Sequence, residues 1–442
     1  MSASNLPRIF SDRMLKTELA GQAENIVAAM KDWGLGRIDE KDTIHFCGLI
    51  HHPTDGAFVF LPREAKTDNP QKDLETASLT MRALVRFGAE TSKREFENDG
   101  EAGNPGTLSV IKHLADDFRD HGLFFERGRK NTRNSGKPDW GRTIKREVAI
   151  PNSDGQPIFS NVRTNRSIKT SDALLAQIQA AVLLEILNTH GWWIPGLTPR
   201  KRELISSQLP RIPRSGWVRK LNAILSNLYS TRSIFLVEYL RHYLRETRAS
   251  VNGSFIFGVS DFHTVWETIL RETIVRSASD TRRKWNRELP KPVYFSDAAE
   301  GREATKRGMQ TDIILENEKS FTIVDAKYYA ATNAASAPGW PDIAKQIFYE
   351  MALREVVDDG VSPPAKIENI FAFPRVESVG PLQRVEILRQ DGTPTTSAFP
   401  SIPCCYISVS DALRHYCDRS QGIEINRVKQ TGPNQQTALF ER

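Results

Sequence analysis

The chain has 442 residues, which is long enough for two or three domains. A hydrophobic content of 39% with 26% charged residues is typical of a soluble globular protein, and the net charge of +6 is compatible with a polyanionic partner without requiring one. No apolar run approaches the roughly 20 residues that span a bilayer, and residues 1–8 lack the apolar stretch of a signal peptide. The four cysteines have neither disulfide nor zinc spacing. These features argue against a membrane or secreted protein and predict a cytoplasmic one.

The first 190 residues predict an α+β domain. Strand patterns at residues 43–50 and 57–61 flank the turn sequence Pro53-Thr54-Asp55-Gly56, and together they predict a hairpin. The pair Ser171-Asp172 supplies a capping signal for a later helix. Apolar residues at helical spacing predict three helices, at residues 73–87, 107–120 and 171–188.

A basic, turn-rich segment at residues 127–146 lies between the second and third helices. Its glycine, asparagine, serine and proline residues predict a loop rather than a helix, followed by a hairpin of residues 143–149 and 157–162. Basic clusters of this kind bind phosphates through counterion release, although many are only solvated loops. The candidate residues for binding DNA or a partner are Arg127, Arg129, Lys130, Arg133, Lys137 and Arg142.

Breaks in these patterns predict three domains. Residues 195–213 carry four prolines and predict a connector, residues 216–246 have helical spacing, and Gly253-Ser254 ends that pattern. We therefore predict an N-terminal α+β domain for DNA or partner binding, a helical connector and a C-terminal domain, at residues 1–190, 191–250 and 251–442.

The sequence pattern of the C-terminal domain predicts an α/β fold. Helical spacing is followed by two strands, a second helix, two further strands and a last helix. The ranges are residues 262–276, 311–315, 321–329, 342–357, 367–373 and 404–409, with the last helix starting at Asp411. In the second helix, Ile343, Ile347, Met351 and Val356 are expected to face inward.

The two central strands carry two acids and a lysine in an apolar setting. Asp312 opens the first strand, and Asp325 and Lys327 lie two residues apart on the next, so their side chains share a face. Two carboxylates that converge on one point suit a hard cation such as Mg²⁺, and a lysine beside it suits phosphodiester hydrolysis. A structural ion pair between Asp325 and Lys327 is the alternative.

This arrangement resembles the core of the PD-(D/E)xK phosphodiesterase superfamily, in which a mixed sheet flanked by helices carries a metal site. The resemblance implies that Asp312, Asp325 and the Ala326 carbonyl bind Mg²⁺, with Mn²⁺ as a substitute. It also implies that Lys327 positions the attacking water and stabilises charge at the phosphate. Thr311 stands where the superfamily's label has proline.

The identity of the first acid stays open at this point. Asp297 and Glu316 lie near enough in the sequence to replace Asp312 as the first metal ligand.

Two further positions match members of the superfamily. Glu267, on the helix before the first motif strand, is expected to order a second metal or a bound water, the alternative being an ion pair with Arg271. Gln346, followed three residues later by Tyr349, is typical of nucleases of the LlaJI and McrC type. The resemblance implies that Gln346 contacts a phosphate or the attacking water, and the alternative is an ordinary polar residue of a helix.

The resemblance to LlaJI/McrC-like restriction endonucleases extends into the N-terminal half. It rests there on Lys137-Pro138-Asp139-Trp140-Gly141-Arg142-Thr143-Ile144 and on the early hairpin. It implies a bacterial or archaeal restriction nuclease of antiviral defence that cleaves double-stranded DNA, works with a separate McrB-like AAA+ NTPase or a cognate methyltransferase, and dimerises on DNA. The sequence has no Walker A motif of its own. A non-catalytic DNA-binding subunit with a vestigial nuclease fold and a DNA-repair nuclease are the alternatives.

Overall fold

A computed structural model of the chain contains two compact units. One unit is Asn104–Gly253, and the other combines Ser2–Gly103 with Ser254–Arg442. The N-terminal hundred residues therefore share a unit with the predicted C-terminal domain, a grouping that differs from boundaries at 190 and 250. The residues described are 6–52, 55–99, 107–170, 174–194, 199–206, 209–226, 228–249, 255–274, 281–295, 302–304, 308–317, 320–357, 366–375, 382–393, 395, 399–420 and 423.

The N-terminal segment of the split unit forms a sheet covered by helices. Its elements are β1 (Arg8–Ser11), α1 (Ala23–Trp33), β2 (Arg37–Ile38), β3 (Ile44–His45), β4 (Cys47–His52), β5 (Gly56–Leu61) and α2 (Pro70–Asp99). β4 and β5 pair antiparallel, which confirms the predicted hairpin, and β1 pairs parallel with β5. Ile26, Phe46, Phe58 and Phe60 are fully buried in the core that fills the space under α1.

The inserted unit combines a helical group with paired strands. Its elements are α3 (Thr107–His121), β6 (Glu126–Arg133), β7 (Lys137–Pro138), α4 (Trp140–Arg146), β8 (Ala149–Pro151), β9 (Pro157–Phe159), β10 (Arg163–Thr170), α5 (Leu174–His190), α6 (Pro199–Ser206), α7 (Trp217–Leu225) and α8 (Thr231–Ala249). Phe118, Leu183, Leu187 and Ile205 form the core of the helical group. The helices predicted at 107–120 and 171–188 are confirmed, whereas Ser171-Asp172 lies outside the described residues.

The loop predicted at residues 127–146 is wrong. All eight residues of β6 pair antiparallel with β10, and turn geometry is confined to the short connection where Asn134 and Gly136 have positive φ. The strand predicted at 143–149 is also wrong in its first half, because residues 143–146 belong to α4. Asp139 caps that helix, its side chain accepting a hydrogen bond from the Arg142 backbone N–H at 3.1 Å.

The C-terminal segment of the split unit contributes a five-stranded mixed sheet. Its elements are β11 (Phe255–Val259), α9 (His263–Ile274), α10 (Thr281–Glu288), β12 (Val293–Phe295), β13 (Arg302–Ala304), β14 (Ile313–Asn317), β15 (Ser320–Ala326), α11 (Trp340–Val357), β16 (Lys366–Pro374), β17 (Arg384–Val385), β18 (Ile402–Ile407) and α12 (Val409–Asp418). The strand order is β14-β15-β16-β18-β17, with β15, β16 and β18 parallel. The predicted succession of helices and strands is confirmed here, and the fold is a mixed α/β fold of several sheets flanked by helices.

One residue of α11 that was predicted to face inward is exposed. Met351 of α11 is exposed, and the buried face of that helix carries Gln346, Tyr349, Glu350 and Leu353 instead. Ile347 is buried and Ile343 packs against the core, as predicted, so the apolar spacing failed only at Met351 and missed the polar residues of the buried face.

The two segments of the split unit share a sheet. β11 pairs antiparallel with β4, although the two strands are far apart in the sequence. Gly48 and Gly258 face each other across this pair, and a Cβ on Gly48 would lie 2.1 Å from the Phe257 carbonyl oxygen, so the strands meet only because both residues are glycine. The helices that the structure describes are all too short or too polar to span a bilayer.

Candidate active site

The acids and the lysine converge at one end of the β14–β15 hairpin. Ile313 pairs with Val324, which brings Asp312 beside the last residues of β15. The Ala326 backbone N–H donates a hydrogen bond to Asp312 Oδ2 at 3.0 Å. The hairpin register therefore fixes one carboxylate of the candidate site against the strand that carries the other.

Lys327 lies between two carboxylates. Its Nζ is 2.8 Å from Asp325 Oδ2 in an ion pair, and it donates a hydrogen bond to Asp342 Oδ1 at 2.6 Å. Asp325 is 2% exposed, while Asp342 lies half-buried in the first turn of α11. The predicted shared face of Asp325 and Lys327 is confirmed, and α11 adds a third charged group that sequence reasoning treated only as a helix start.

Negative charge accumulates around the two acids. Burial raises the pKa of Asp312, and the neighbouring charge of Glu267 raises it further. Burial also raises the pKa of Asp325, partly offset by Lys327, and Asp312 adds to the increase. The carboxylates are thus near one another and incompletely compensated, so a bound cation would stabilise their ionised forms.

Lys327 is held as an ammonium. Burial on its own lowers the pKa of Lys327, but Asp325 and Asp342 raise it above the ordinary value. A permanently protonated lysine suits the stabilisation of negative charge rather than the removal of a proton.

Helix α11 presents two more polar side chains at this end of the sheet. Gln346 is 0% exposed, and among the described residues neither its amide oxygen nor its amide nitrogen has a hydrogen-bond partner. Lys345, next to it, places its Nζ 3.9 Å from Asp325 Oδ1 and 5.3 Å from the centre of the Tyr349 ring. Buried polar groups normally find partners, so Gln346 is an unusual residue that calls for a functional explanation.

Tyr328 anchors the end of β15 on the N-terminal sheet. Its hydroxyl donates a hydrogen bond to Asp12 Oδ2 at 3.1 Å and accepts one from the Arg63 backbone N–H at 2.6 Å. Its ring packs against Phe262 and Trp266. Phe262 lies directly before α9, and Trp266 lies on α9 next to Glu267. The Tyr328 side chain therefore links the end of β15 to α9 and to the N-terminal sheet.

Glu316, one of the rival first ligands, does not share this geometry. Glu316 lies at the far end of β14, where its carboxylate accepts a hydrogen bond from the Trp285 indole at 2.9 Å and pairs with Lys284 at 3.6 Å. Asp297 lies outside the described residues. The geometry favours Asp312 over Glu316.

The donor set fits a magnesium ion. No group of three His, Cys, Asp or Glu side chains is gathered as a metal site in the part of the chain that the structure describes. Mg²⁺ does not need such a group, because one or two carboxylates with waters and phosphate oxygens complete its shell. Asp312, Asp325 and the Ala326 carbonyl could supply the protein ligands.

The candidate basic residues lie in the inserted unit. Arg127, Arg129, Lys130 and Arg133 are on β6, Lys137 is on β7 and Arg142 is on α4. Arg133 Nε is 3.9 Å from Glu147, and the Arg142 guanidinium donates to the Asn131 side chain. The structure thus places these six residues on regular elements of a unit separate from the carboxylate site.

Comparison with known proteins assigns the family. Residues 46–384 match the family described as LlaJI restriction endonuclease, a match that includes both motif strands and α11. The chain belongs to the LlaJI restriction endonuclease family. No curated protein matches it.

Solved structures that are distantly similar to this LlaJI family member include two from Thermococcus gammatolerans. One is a refined half-complex from a tetradecameric assembly of Thermococcus gammatolerans McrB AAA+ hexamers with bound McrC, at 13% identity and a TM-score of 0.41, covering 94% of this chain and 98% of that one. The other is the Thermococcus gammatolerans McrBC complex, at 14% identity and a TM-score of 0.26, covering 60% and 84%.

Three residues near the site escaped sequence reasoning. Asp342 reaches Lys327 and Lys345 reaches Asp325 only because α11 packs against the strands, and Asp12 reaches Tyr328 across most of the chain. For Asp342 and Lys345, the available signal was an acid and a lysine one helical turn apart, directly before Gln346. No local signal marks Asp12.

Proposed function

We propose that this chain is a Mg²⁺-dependent DNA endonuclease of a restriction system, with its active site at Asp312, Asp325 and Lys327. The observation that carries the proposal is the buried Asp325–Lys327 pair beside Asp312, in a member of a restriction endonuclease family. A buried ion pair is seldom retained for stability alone. The mixed sheet around it supports a PD-(D/E)xK type of core.

Each residue has a role that follows from its surroundings. Asp312, Asp325 and the Ala326 carbonyl would hold Mg²⁺ or Mn²⁺, which would act as a Lewis acid that polarises a water and a phosphate oxygen. Lys327 stabilises the charge that develops on the phosphate, and Asp342 keeps its ammonium in position. Glu267, whose charge acts on Asp312, orders a second metal or a water, and Gln346 bonds the attacking water or a phosphate oxygen.

We also propose that a separate McrB-like AAA+ NTPase supplies nucleotide hydrolysis. The sequence has no Walker A motif, so a partner must provide that activity if the system uses it. A cognate methyltransferase belongs with the same proposal, and two copies of the chain meet on DNA to cut both strands.

The inserted unit supports partner docking. Several large apolar side chains are exposed within a short stretch of it, and exposed apolar groups beside basic ones mark interaction surfaces. They are Trp140, Ile144, Val148, Ile150 and Ile158, and Val148 is 82% exposed. Aliphatic residues suit a protein partner better than a phosphate backbone, which favours the partner-binding role for Arg133, Lys137 and Arg142 over direct DNA binding.

The test uses purified full-length chain, Asp325→Asn and Lys327→Met, each with supercoiled and linear DNA in Mg²⁺, Mn²⁺ or EDTA, with and without a McrB-like NTPase. We expect metal-dependent cleavage by the wild type and a loss of at least about 100-fold in both variants. Lys366→Met, a lysine at the opposite end of the same sheet, is the matched control.

The outcomes separate the alternatives. If neither metal supports nicking by the wild type under any condition, the chain is a vestigial, non-catalytic subunit. Cleavage that prefers branched DNA and ignores the NTPase favours a repair nuclease. Full activity of either site variant rejects the proposed active site.

A further inference from the structure

Lys345 is a second lysine at the carboxylates, in a setting unlike that of Lys327. The Lys327 side chain is 14% exposed and has a carboxylate on each side, whereas the Lys345 side chain is 45% exposed. The Lys345 ammonium is 3.9 Å from Asp325 Oδ1, which is too long for a hydrogen bond. Its three donor hydrogens are therefore not consumed by that carboxylate.

The position of Lys345 is nevertheless restrained. Its Nζ lies 5.3 Å from the centre of the Tyr349 ring, one turn further along α11, and the Tyr349 hydroxyl donates to the Gln310 carbonyl. A cation over an aromatic face is attracted to it, which limits the region that the ammonium can visit. The Lys345 side chain thus stays near Asp325 and Tyr349 while remaining 45% exposed.

Neutralising the acids accounts for only part of this arrangement. Asp325 Oδ2 already has the Lys327 ammonium at 2.8 Å, and the Lys345 ammonium acts on Asp325 from 3.9 Å without a hydrogen bond. An ammonium that is restrained, solvent-accessible and next to a candidate phosphodiesterase site is suited to bind an anionic substrate oxygen.

We propose that Lys345 binds a non-bridging phosphate oxygen of the DNA backbone at this site. The inference rests on the proposed function and extends it to substrate binding. Lys327, enclosed by two carboxylates, acts on the reacting phosphate, and Lys345 holds the strand in register next to it. Gln346 lies on the buried side of the same helix, so α11 forms the substrate-facing wall.

The test compares Lys345→Met and Lys345→Arg with the wild type and with the control Lys366→Met. Lys366 is also exposed, pairs with Glu368 and lies at the far end of the sheet. Binding of a fluorescent duplex is measured by anisotropy over a range of KCl concentrations, with Ca²⁺ in place of Mg²⁺ to keep the DNA intact. Cleavage is measured separately in Mg²⁺, and urea unfolding checks that each variant is folded.

We expect Lys345→Met to weaken duplex binding about 5- to 10-fold and to reduce the slope of log affinity against log salt by about 1, as the loss of one phosphate contact requires. KM should rise more than kcat falls. Lys345→Arg should restore most of the affinity, and Lys366→Met should leave both affinity and slope unchanged.

Two failures are distinguishable. If the wild type cleaves in Mg²⁺ but Lys345→Met keeps the wild-type affinity and salt slope, the inference is wrong and the proposed function stands. If the wild type neither binds nor cleaves DNA, both are wrong. A loss of binding that Lys345→Arg does not restore indicates a structural role and also overturns the inference.

Discussion

At the scale of single residues, Gln346 is a buried amide without hydrogen-bond partners among the described residues. An amide buried without partners lacks the hydrogen bonds that water gave it in the unfolded chain, and this costs about 1–3 kcal/mol. A helix that needed only to pack against the strands would carry leucine there. The amide is therefore retained for something that stability does not require.

Replacing Gln346 by leucine should separate stability from activity. We expect Gln346→Leu to raise the free energy of unfolding by about 1–2 kcal/mol, because an apolar group of similar volume removes the unsatisfied amide. Cleavage should fall at least about 10-fold, since stabilising changes at functional sites commonly reduce activity. Urea unfolding and a plasmid cleavage assay measure the two effects. Destabilisation together with unchanged cleavage would show that Gln346 is structural.

Residue-level prediction succeeded where the signal was local. Asp312, Asp325 and Lys327 lie on one hairpin, and period-2 alternation with hairpin register is enough to bring them together. Asp342 and Lys345 depend on how α11 rotates against the sheet, and polar residues interrupt the buried face of that helix, so its apolar residues alone do not define the rotation.

At the scale of elements, Tyr328 connects three of them. Its hydroxyl meets the buried Asp12, and Asp12 Oδ1 also accepts a hydrogen bond from the Phe46 backbone N–H at 3.1 Å. Burial raises the pKa of Asp12, an effect that Arg13 and the Tyr328 hydroxyl partly offset. The carboxylate thus depends on the donors around it.

Removing the Tyr328 hydroxyl should loosen this junction. We expect Tyr328→Phe to lower the free energy of unfolding by about 1–3 kcal/mol, because Asp12 loses a buried donor and the Arg63 N–H loses its acceptor. Asp12→Asn should cost a similar amount. The double variant should cost less than the sum of the two, as for groups in one hydrogen-bond network. Strictly additive costs from urea unfolding would contradict the direct coupling.

The basic segment shows how element prediction fails. Gly128, Asn131 and Asn134 are turn formers, yet only Asn134 is in a turn. The antiparallel pairing of β6 with β10 overrides the turn preference of these residues. The partner strand lies some thirty residues away in the sequence, so no short-range pattern indicates the pairing. The cap sequence Pro138-Asp139-Trp140 was a usable helix signal there.

At the scale of the whole molecule, the split unit determines which fragments can fold. Residues 251–442 alone would lack β4, the partner of β11, and α2, whose Arg86 side chain contacts Glu272 and the Tyr416 carbonyl and stacks on the Tyr416 ring. The domain boundaries predicted from the sequence would therefore remove part of the core of the unit.

We expect a fragment of residues 251–442 to be insoluble or unfolded, since it exposes the apolar surfaces that α2 and β4 cover. Co-expression with residues 1–103 should recover a soluble complex, whereas co-expression with residues 104–250 should not. Circular dichroism and gel filtration of the fragments measure this. A stable, monomeric 251–442 fragment would contradict the assignment of the N-terminal sheet to this unit.

The surface of the inserted unit can be tested in the full chain. Ile144→Ser with Val148→Ser should leave DNA cleavage by the free chain unchanged but weaken binding to the proposed McrB-like NTPase at least about 10-fold, because exposed apolar side chains contribute at the centre of an interface. Ile224→Ser, on a half-buried position of α7, is the control. Sedimentation of mixtures measures the binding, and equal affinity for both proteins would assign the patch another role.

The pairing of β4 with β11 also has a consequence in time. β4 leaves the ribosome roughly 200 residues before its partner, an interval on the order of 10–40 s at about 5–20 residues per second. Throughout that interval the chain can complete its inserted unit but not the unit that holds the carboxylates, whose later strands are still unmade. A chain released during that interval therefore lacks Asp312, Asp325 and Lys327.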